Sequence, residues 1–441
     1  MMQPIYKVSY TLLLLLSPIP KFLSLVTIAK FGRWKQWKKS NLRLERRLVL
    51  QTLWSSGGSG IGFDGLTSAL SKIESRQLIE KSRLKSSKER KENRWEKITL
   101  DSFTDDARED NETPFSLSGL NNQEQVVYIL RPPDNAEPQS IILFLGGAVL
   151  GSYPHIAYSE LLHRISSKTN SSVIAVPYPI GLNHFDISKL CEKQFQQAVT
   201  HMEENMYTAQ PPSSKSIVCS LPIYVLGHSL GCKLHLIRMS AVKNSWENLK
   251  GIGFVSFNNY GLSQSVSMAK SFASSLNGEA QKKPSNDETQ IMDIFFNFVE
   301  QAAQGIGFDF SPNPVETERM IRLKFTNELQ EKCRVFQFDQ DELDCTQQFI
   351  RCCPNASVST LPGTHLTPVY LQFGVNDLPE NTQTLAQQMT DYQSASFGNE
   401  EQLDLLVDEV CSWMKGEPPQ CKQQAKKHVT TLRLPSNLID V

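Results

Sequence analysis

The feature that most constrains the fold is an alternation of continuously apolar runs with helical patterns, which begins at Gln125 and continues to Lys415. Apolar runs without polar alternation indicate strands buried on both faces, and strand–helix–strand alternation indicates a parallel sheet with right-handed crossovers. The sequence therefore predicts an α/β fold with a mostly parallel central sheet and helices on both faces. Six runs are predicted strands: QVVYILRPP, SIILFLGG, SSVIAVPYP, PIYVLGHS, GIGFVSFNNYG and CRVFQFDQD.

One predicted strand ends in the motif GHSLG, in which Gly227 and Gly231 flank Ser229, and the helical pattern LGCKLHLIRMSAVK follows it. A G-x-S-x-G motif between a strand and a helix holds its serine on a strained turn, so that the hydroxyl projects above the sheet. The glycines lack the Cβ atoms that would clash in so tight a crossing. We interpret Ser229 as a candidate nucleophile; the alternative is an ordinary glycine–serine bend.

A serine nucleophile needs a histidine base and an acid that orients it, and behind such a turn the chain order is serine, acid, histidine. Two histidines follow the predicted helix, His365 and His428. His428 lies in a polar tail, whereas His365 lies in VSTLPGTHLTP, a loop that leaves a short apolar run, and is the candidate base. The acid is expected just after the run CRVFQF, where Asp341 is the first candidate, Asp344 the second and Asp339 the third.

The oxyanion of an acyl-transfer intermediate needs two backbone N–H donors. One is expected from Leu230, the residue after the nucleophile, and the other from the loop GGAVLG that follows the run IILFL. Gly147 is the candidate in that loop, with Ala148 as the alternative. The glycine pair is also compatible with a plain tight turn.

With these motifs together, the chain resembles an α/β-hydrolase over about Gln125 to Lys415. Within that superfamily it is similar to an uncharacterised plant and cyanobacterial family of unknown function, sometimes labelled "gut esterase". The stretches that carry the resemblance are FLGGAVLGSYP, VIAVPYPIGLNHFDI, VLGHSLGCKLHL and LPGTHLTP, of which the last two are the more specific.

The resemblance implies a triad of Ser229, Asp341 and His365 and a plastid setting, but it supplies no substrate. One departure concerns the oxyanion turn. Many esterases place His-Gly before that turn, and Leu145-Gly146 stands here. A backbone donor needs no particular side chain, so the departure bears only on which residue is the second donor.

The interval between GFVSFNNYG and CRVFQF spans about 70 residues, too long for a plain loop in a compact domain. Its helical patterns, with a wide apolar face at 292–299, predict a helical cap insertion at about 262–330 within a hydrolase domain of 120–415. An apolar cap lining suits acyl chains, which predicts faster cleavage of medium or long acyl esters than of acetyl esters. The alternative is that these residues bury against the sheet.

The amino-terminal segment is basic: eight lysines and arginines precede Glu45, the first acidic residue. This composition predicts a transit peptide at 1–50 and a chloroplast location. The alternative is a membrane anchor, with peripheral membrane association, although the apolar run 12–16 is far shorter than the roughly 20 residues that span a bilayer. Residues 51–115 are predicted to be a polar, partly disordered connector, and 416–441 a C-terminal tail.

Composition excludes other classes of function. The formal net charge of −1 gives no support to nucleic-acid binding. The nine cysteines contain no C-x-x-C pair, which argues against a zinc site or a thioredoxin-like motif and for a reducing compartment. No metal or organic cofactor is predicted.

These observations predict a serine hydrolase of the carboxylesterase, lipase or thioesterase type, acting on a small-molecule ester or lipid-like substrate through an acyl-enzyme. The alternative is a catalytically silent hydrolase fold used as a binding or assembly factor in the plastid, because fold alone does not imply turnover. An acyltransferase with the same intermediate is a third reading. Oligomeric state and natural substrate are not predicted.

Overall fold

The computed structural model describes residues 70–76, 94–100, 125–148, 150–206, 217–241, 247–265, 309–374 and 394–419. All of them lie in the larger of the two units into which the chain divides, Thr52–Val441. The predicted transit peptide at 1–50 and most of the predicted C-terminal tail lie outside the described residues, so both stay predictions. No helix of these ranges is long and apolar enough to cross a bilayer.

The centre of the described domain is an eight-stranded sheet with the order β1-β2-β4-β3-β5-β6-β7-β8. β2 pairs antiparallel with both β1 and β4, and the other pairs are parallel. β9 and β10 form a separate antiparallel pair. The strands are β1 Trp95–Leu100, β2 Gln125–Leu130, β3 Ser140–Leu145, β4 Ser171–Ala175, β5 Ile223–His228, β6 Leu249–Val255, β7 Cys333–Phe338, β8 Ser357–Leu361, β9 Leu371–Gly374 and β10 Ser394–Phe397.

Helices connect the strands and cover the sheet. They are α1 Pro154–Ala157, α2 Ser159–Thr169, α3 His184–His201, α4 Ile217–Ser220, α5 Leu230–Ala241, α6 Pro314–Lys324, α7 Asn327–Glu331, α8 Thr346–Cys352 and α9 Glu400–Met414. Short 3-10 turns lie at Pro133–Asn135 and Leu150–Ser152, a π turn at Met202–Met206, and further helical residues at 70–76 and 262–265.

The core lies on both faces of the sheet, because successive strand residues point to opposite sides. Ile223 and Val225 of β5 pack into the large apolar cluster that also contains residues of α3 and α5. Tyr224, between them, faces the other way and packs edge-on against Trp413 of α9, with ring centroids 5.4 Å apart. Every residue of β3 and of β4 is buried, which confirms the prediction of a mostly parallel sheet covered on both faces.

The predicted connector at 51–115 contains part of the folded domain, which corrects the predicted domain start at 120. Leu70 and Ile73 are buried in the helical residues 70–76, and β1 pairs with β2 along its whole length. Trp95, Ile98 and Leu100 of β1 are also buried. The sequence pattern did not predict this burial, because the apolar residues are isolated among charged ones. Their burial depends on partners elsewhere in the chain.

The described part of the predicted cap belongs to the body of the domain. α6 begins with a capping box, in which the side chains of Asn313 and Glu316 each accept a hydrogen bond from the other's backbone N–H group. The helix packs against α5, and Ile321 and Phe325 join the core cluster. Residues 266–308, including the apolar face at 292–299, lie outside the described residues, so a cap there stays a prediction.

Candidate active site

Ser229 lies at the sharp turn between β5 and α5 that the GHSLG motif predicts. Its φ of 52° is in the left-handed region, which is uncommon for a residue with a Cβ atom. The backbone holds this conformation from both sides: the Ser229 N–H donates to the Val255 carbonyl at 3.0 Å, and the Cys232 N–H donates to the Ser229 carbonyl at 3.0 Å. Strain that the surrounding structure maintains in this way is common at functional sites.

The two glycines of the motif allow the close approach of α5 to the sheet. A Cβ atom at Gly231 would overlap the carbonyl oxygens of Leu145 and Gly146, at the end of β3. A Cβ atom at Gly227 would lie 2.8 Å from the Cys232 backbone nitrogen. The motif therefore needs glycine at both positions, because the ends of β3 and β5 contact the first turn of α5.

The structure brings together the three residues that the sequence nominates for a triad. The Ser229 hydroxyl lies 2.9 Å from His365 Nε2, and His365 Nδ1 lies 2.9 and 3.1 Å from the two carboxylate oxygens of Asp341. They come from the loops after β5, β8 and β7, at the carboxyl edge of the sheet. The Asp341 side chain is fully buried, and that of His365 is 15% exposed.

The environment of Asp341 keeps its carboxylate ionised. Burial by itself would raise the pKa of Asp341, but the hydrogen bond and charge of His365 and the Leu343 N–H, 2.9 Å away, outweigh it. The pKa of Asp341 therefore lies below its usual value. A buried carboxylate of this kind holds one tautomer and orientation of an imidazole.

The two other acid candidates have structural partners instead. Asp344 accepts from the Thr346 N–H at 2.7 Å and from its hydroxyl at 2.9 Å, at the start of α8. Asp339 accepts from the Gly363 N–H at 3.0 Å and holds the loop that leads to His365. Within the described ranges, only Asp341 of the three hydrogen-bonds to His365.

A buried relay that the sequence analysis missed joins the β3 loop to the His365 loop. The Gly147 N–H donates to the Tyr158 hydroxyl at 2.7 Å, which in turn contacts His228 Nδ1 at 2.8 Å. His228 Nε2 lies 2.9 Å from the His365 carbonyl oxygen. Because a carbonyl only accepts, Nε2 carries the proton, and the Tyr158 hydroxyl donates to Nδ1.

His228 is held neutral in this relay. Burial, and next the charge of His365, lower the pKa of His228 to about 3. A neutral ring suits the relay, because Nδ1 has to accept the Tyr158 hydrogen while Nε2–H donates. His228 adjoins the nucleophile in the motif, which was the available sequence signal; Tyr158 lies in a plain helical pattern and offered none.

The relay corrects the predicted oxyanion donor at Gly147. In this structure the Gly147 N–H is bound to Tyr158, so it is not free to bind an oxyanion, although a Cβ atom built on Gly147 would lie only 3.3 Å from Ser229 Cβ. The alternative donor, Ala148, and the other predicted donor, Leu230, have N–H groups without an acceptor among the described residues.

The described residues offer no evident metal site. They contain no cluster of three or more histidine, cysteine or carboxylate side chains that could hold a metal ion. Seven of the cysteines in these ranges are buried and free, and they pack as small apolar side chains.

Comparison with known proteins gives one family match. A family model described as "Protein of unknown function (DUF1350)" matches residues 127–382, more than half of the chain. No curated protein matches the sequence.

Similar solved structures include three hydrolases. An esterase from Pseudomonas putida is 13% identical, with a TM-score of 0.35, over 67% of this chain and 80% of its own. An alpha/beta hydrolase superfamily protein from Enterococcus faecalis is 14% identical, with a TM-score of 0.37, over 67% and 96%. The peroxisomal alpha-beta-hydrolase Lpx1 from Saccharomyces cerevisiae is 11% identical, with a TM-score of 0.38, over 74% and 97%. These similarities give no information on the substrate of this chain.

Proposed function

This chain belongs to the DUF1350 family of unknown function, and from the geometry of its site we propose that it is a serine hydrolase that cleaves ester or thioester bonds. Its strand order and strand–turn–helix serine are those of the α/β-hydrolase fold, as the sequence resemblance predicted. The observation that carries the proposal is the unbroken hydrogen-bonded series Ser229–His365–Asp341 at the carboxyl edge of the sheet. Nucleophile, base and orienting acid are the three parts that acyl transfer needs.

In the proposed acylation step, the Ser229 oxygen bonds to the carbonyl carbon of the substrate while His365 Nε2 takes the hydroxyl proton across 2.9 Å. The carbonyl oxygen becomes an oxyanion, which the N–H groups of Leu230 and Ala148 are proposed to stabilise. The oxyanion then collapses, the bond to the alcohol or thiol breaks, and His365 donates its proton to that leaving group.

In the proposed deacylation step, water replaces the leaving group. His365 takes a proton from the water as its oxygen bonds to the acyl carbon, and returns a proton to Ser229 as the acid product departs. Asp341 stays ionised throughout, because its lowered pKa keeps it an acceptor for His365 Nδ1–H. It stabilises the imidazolium that forms in each step.

The second candidate, a hydrolase fold that binds without turnover, is favoured by one observation. The Gly147 N–H, next to Ser229, is bound to the Tyr158 hydroxyl rather than left free for an oxyanion. Unless the Ala148 N–H takes the place of Gly147, the site keeps one oxyanion donor and loses about 10²–10³-fold in rate relative to a site with two donors.

Covalent labelling separates the two candidates. We expect a fluorophosphonate probe to label the wild-type chain and to lose all labelling in Ser229→Ala, because the reagent needs a serine that an adjacent base activates. Ser240→Ala is the matched control: Ser240 is a buried serine on α5, the helix that follows Ser229, and its loss should leave labelling unchanged. A folded wild-type chain that never labels would reject the hydrolase and support the binding factor.

The predicted preference for medium or long acyl chains is untested by the structure, because the apolar face at 292–299 lies outside the described residues. We keep it as a proposal about the acyl side of the substrate. A comparison of acetyl and octanoyl esters addresses it, and faster cleavage of the acetyl ester contradicts it.

A further inference from the structure

A buried lysine lies one helical turn beyond the candidate nucleophile. Lys233 is four residues after Ser229 on α5, which places their backbones about 6 Å apart along the helix. The residue is 1% exposed, and within the described ranges its ammonium group has no hydrogen-bond partner. Its Nζ lies over the ring of Phe310, 5.4 Å from the ring centroid. Burial of an unpaired charge is costly, so this lysine requires an explanation.

Lys233 lies beside a segment that crosses the carboxyl edge of the sheet, residues 309–314, which we name the strap. On one side, Ser311 of the strap exchanges backbone hydrogen bonds with Leu182 and Phe185. On the other side, the Asn259 amide donates to the Pro314 carbonyl at 3.1 Å. The strap therefore bridges the segment that leads into α3 and the segment that follows β6, and both lie at the edge where Ser229 lies.

Two more buried polar atoms on these segments lack partners among the described residues. They are His184 Nδ1, whose ring stacks on Phe310 with centroids 4.2 Å apart, and Asn259 Oδ1. Both residues are 1% exposed. Buried polar atoms are almost always hydrogen-bonded, so three unpaired ones on segments that contact one strap call for a partner that the described residues do not supply.

No carboxylate of the described residues hydrogen-bonds to the Lys233 ammonium. Burial lowers the pKa of Lys233 to about 8, against the opposing charges of Asp309 and Glu316, so the ammonium form still dominates at pH 7. The Asp309 carboxylate is engaged elsewhere, because it accepts the N–H groups of Leu262 and Phe310, both at 2.7 Å.

The charge of Lys233 helps to keep the nearby His184 ring neutral. Burial, and next the charge of Lys233, lower the pKa of His184 to about 3. A neutral imidazole can donate from Nδ1–H, so His184 and Lys233 offer two donors and one positive charge. Side chains on a helix lean towards its amino terminus, and Ser229 lies at that end of α5.

We propose that Lys233 and His184 form an anion subsite of the candidate active site, which binds a carboxylate or phosphate group on the substrate about one helical turn from the ester bond. Asn259 Oδ1 is an acceptor and suits a hydroxyl or N–H group of the same ligand. This inference rests on the proposed hydrolase function and narrows its substrate class to esters or thioesters that carry an anionic group.

The test compares two esters of similar length, p-nitrophenyl pentanoate and mono-p-nitrophenyl glutarate, of which only the second has a terminal carboxylate. We expect Lys233→Met to lower the glutarate-to-pentanoate ratio of kcat/KM by about 10- to 100-fold, the range for loss of a charged hydrogen bond. Lys233→Arg keeps the positive charge, so its glutarate-to-pentanoate ratio of kcat/KM should stay closer to the wild-type ratio than that of Lys233→Met. Lys189→Met is the matched control, because Lys189 is an exposed lysine with a similar ring contact to Phe185 at 4.4 Å.

Fluorophosphonate labelling separates failure of the subsite from failure of the hydrolase. If Lys233→Met still labels and the substrate ratio is unchanged, Lys233 is structural and the subsite is rejected. Lys233→Gln takes the place of Lys233→Met if the methionine variant does not fold. If the wild-type chain neither reacts with the probe nor hydrolyses either ester, the hydrolase proposal fails. The subsite is then tested by the binding measurement alone.

The binding measurement is the thermal shift of Ser229→Ala, with and without Lys233→Met, in inorganic phosphate and in glutarate. A rise in Tm that requires Lys233 supports the subsite, and the anion that produces the larger rise indicates whether phosphate or carboxylate is the ligand group. Equal shifts in both proteins, or no shift in either, overturn it.

Discussion

Individual hydrogen bonds explain why the residue before the nucleophile matters. The His228 side chain contacts His365 in two ways: Nε2–H donates to the His365 carbonyl oxygen, and the two imidazole rings pack with their centroids 5.1 Å apart. Through Tyr158 it also reaches the Gly147 N–H. It therefore connects the loop that carries the proposed base with the loop that carries the proposed second oxyanion donor, and its role is to position His365.

At this scale we predict that His228→Leu lowers kcat/KM, or the rate of fluorophosphonate labelling, by about 10- to 100-fold, because a base displaced by about 1 Å loses that much. His228→Gln keeps an N–H donor near the Nε2 position and should recover part of the loss. A purely structural role predicts no such recovery. His201→Leu, at the carboxyl end of α3, serves as the control and should label at the wild-type rate.

Two helices on one face of the sheet are joined by a buried ion pair. Arg238 of α5 pairs with Glu192 of α3, and the side chains of both are almost fully buried. The Arg238 guanidinium also lies over the Phe195 ring, 5.2 Å from its centroid, and contacts His235 Nδ1 at 3.2 Å. This arrangement fixes α5, and with it the turn at Ser229, against α3.

At the scale of these elements we predict that Glu192→Ala lowers the free energy of unfolding by about 3–5 kcal/mol, because it leaves the Arg238 charge buried and unpaired. Urea denaturation measures the change. Asp408→Ala is the matched control: it breaks the exposed ion pair with Lys168 and should cost less than about 1 kcal/mol. Equal losses in the two variants would show that the buried pair does not hold the helices together.

The extent of the domain is a property of the whole molecule. A charged segment of the sequence separates β1 from the other strands. β1 nevertheless pairs with β2, and its buried residues complete that edge of the sheet. Tyr128 of β2 also donates to Glu74 at 2.8 Å, which attaches the helical residues 70–76 to the same edge. The domain therefore includes residues that a composition-based boundary excludes.

Because β1 is part of the folded domain, we predict that Ile98→Ala lowers the free energy of unfolding by about 2–5 kcal/mol, the range for truncation of a buried isoleucine. Lys97→Ala, at the adjacent exposed position, should stay within about 0.5 kcal/mol of the wild type. Urea denaturation of the two variants decides between a folded strand and a connector, because a disordered connector would leave both unchanged.

The sequence by itself determined the six predicted strands, the turn at Ser229 and the position of His365 after a strand. These features follow from local causes: burial sets the apolar runs, and steric crowding at a tight turn requires glycine. The order serine, acid, histidine then limited the acid to three neighbouring aspartates.

Only the tertiary structure decided which of those aspartates contacts His365, that Tyr158 occupies the Gly147 N–H and that β1 joins the sheet. It also decided that Lys233 is buried with no hydrogen-bond partner among the described residues. The physical reason is that each depends on groups far apart in the chain: Tyr158 and His228 are 70 residues apart, and Ser229 and His365 are 136. Local periodicity reports which face of an element is buried. It does not report which side chain from a distant loop meets that face.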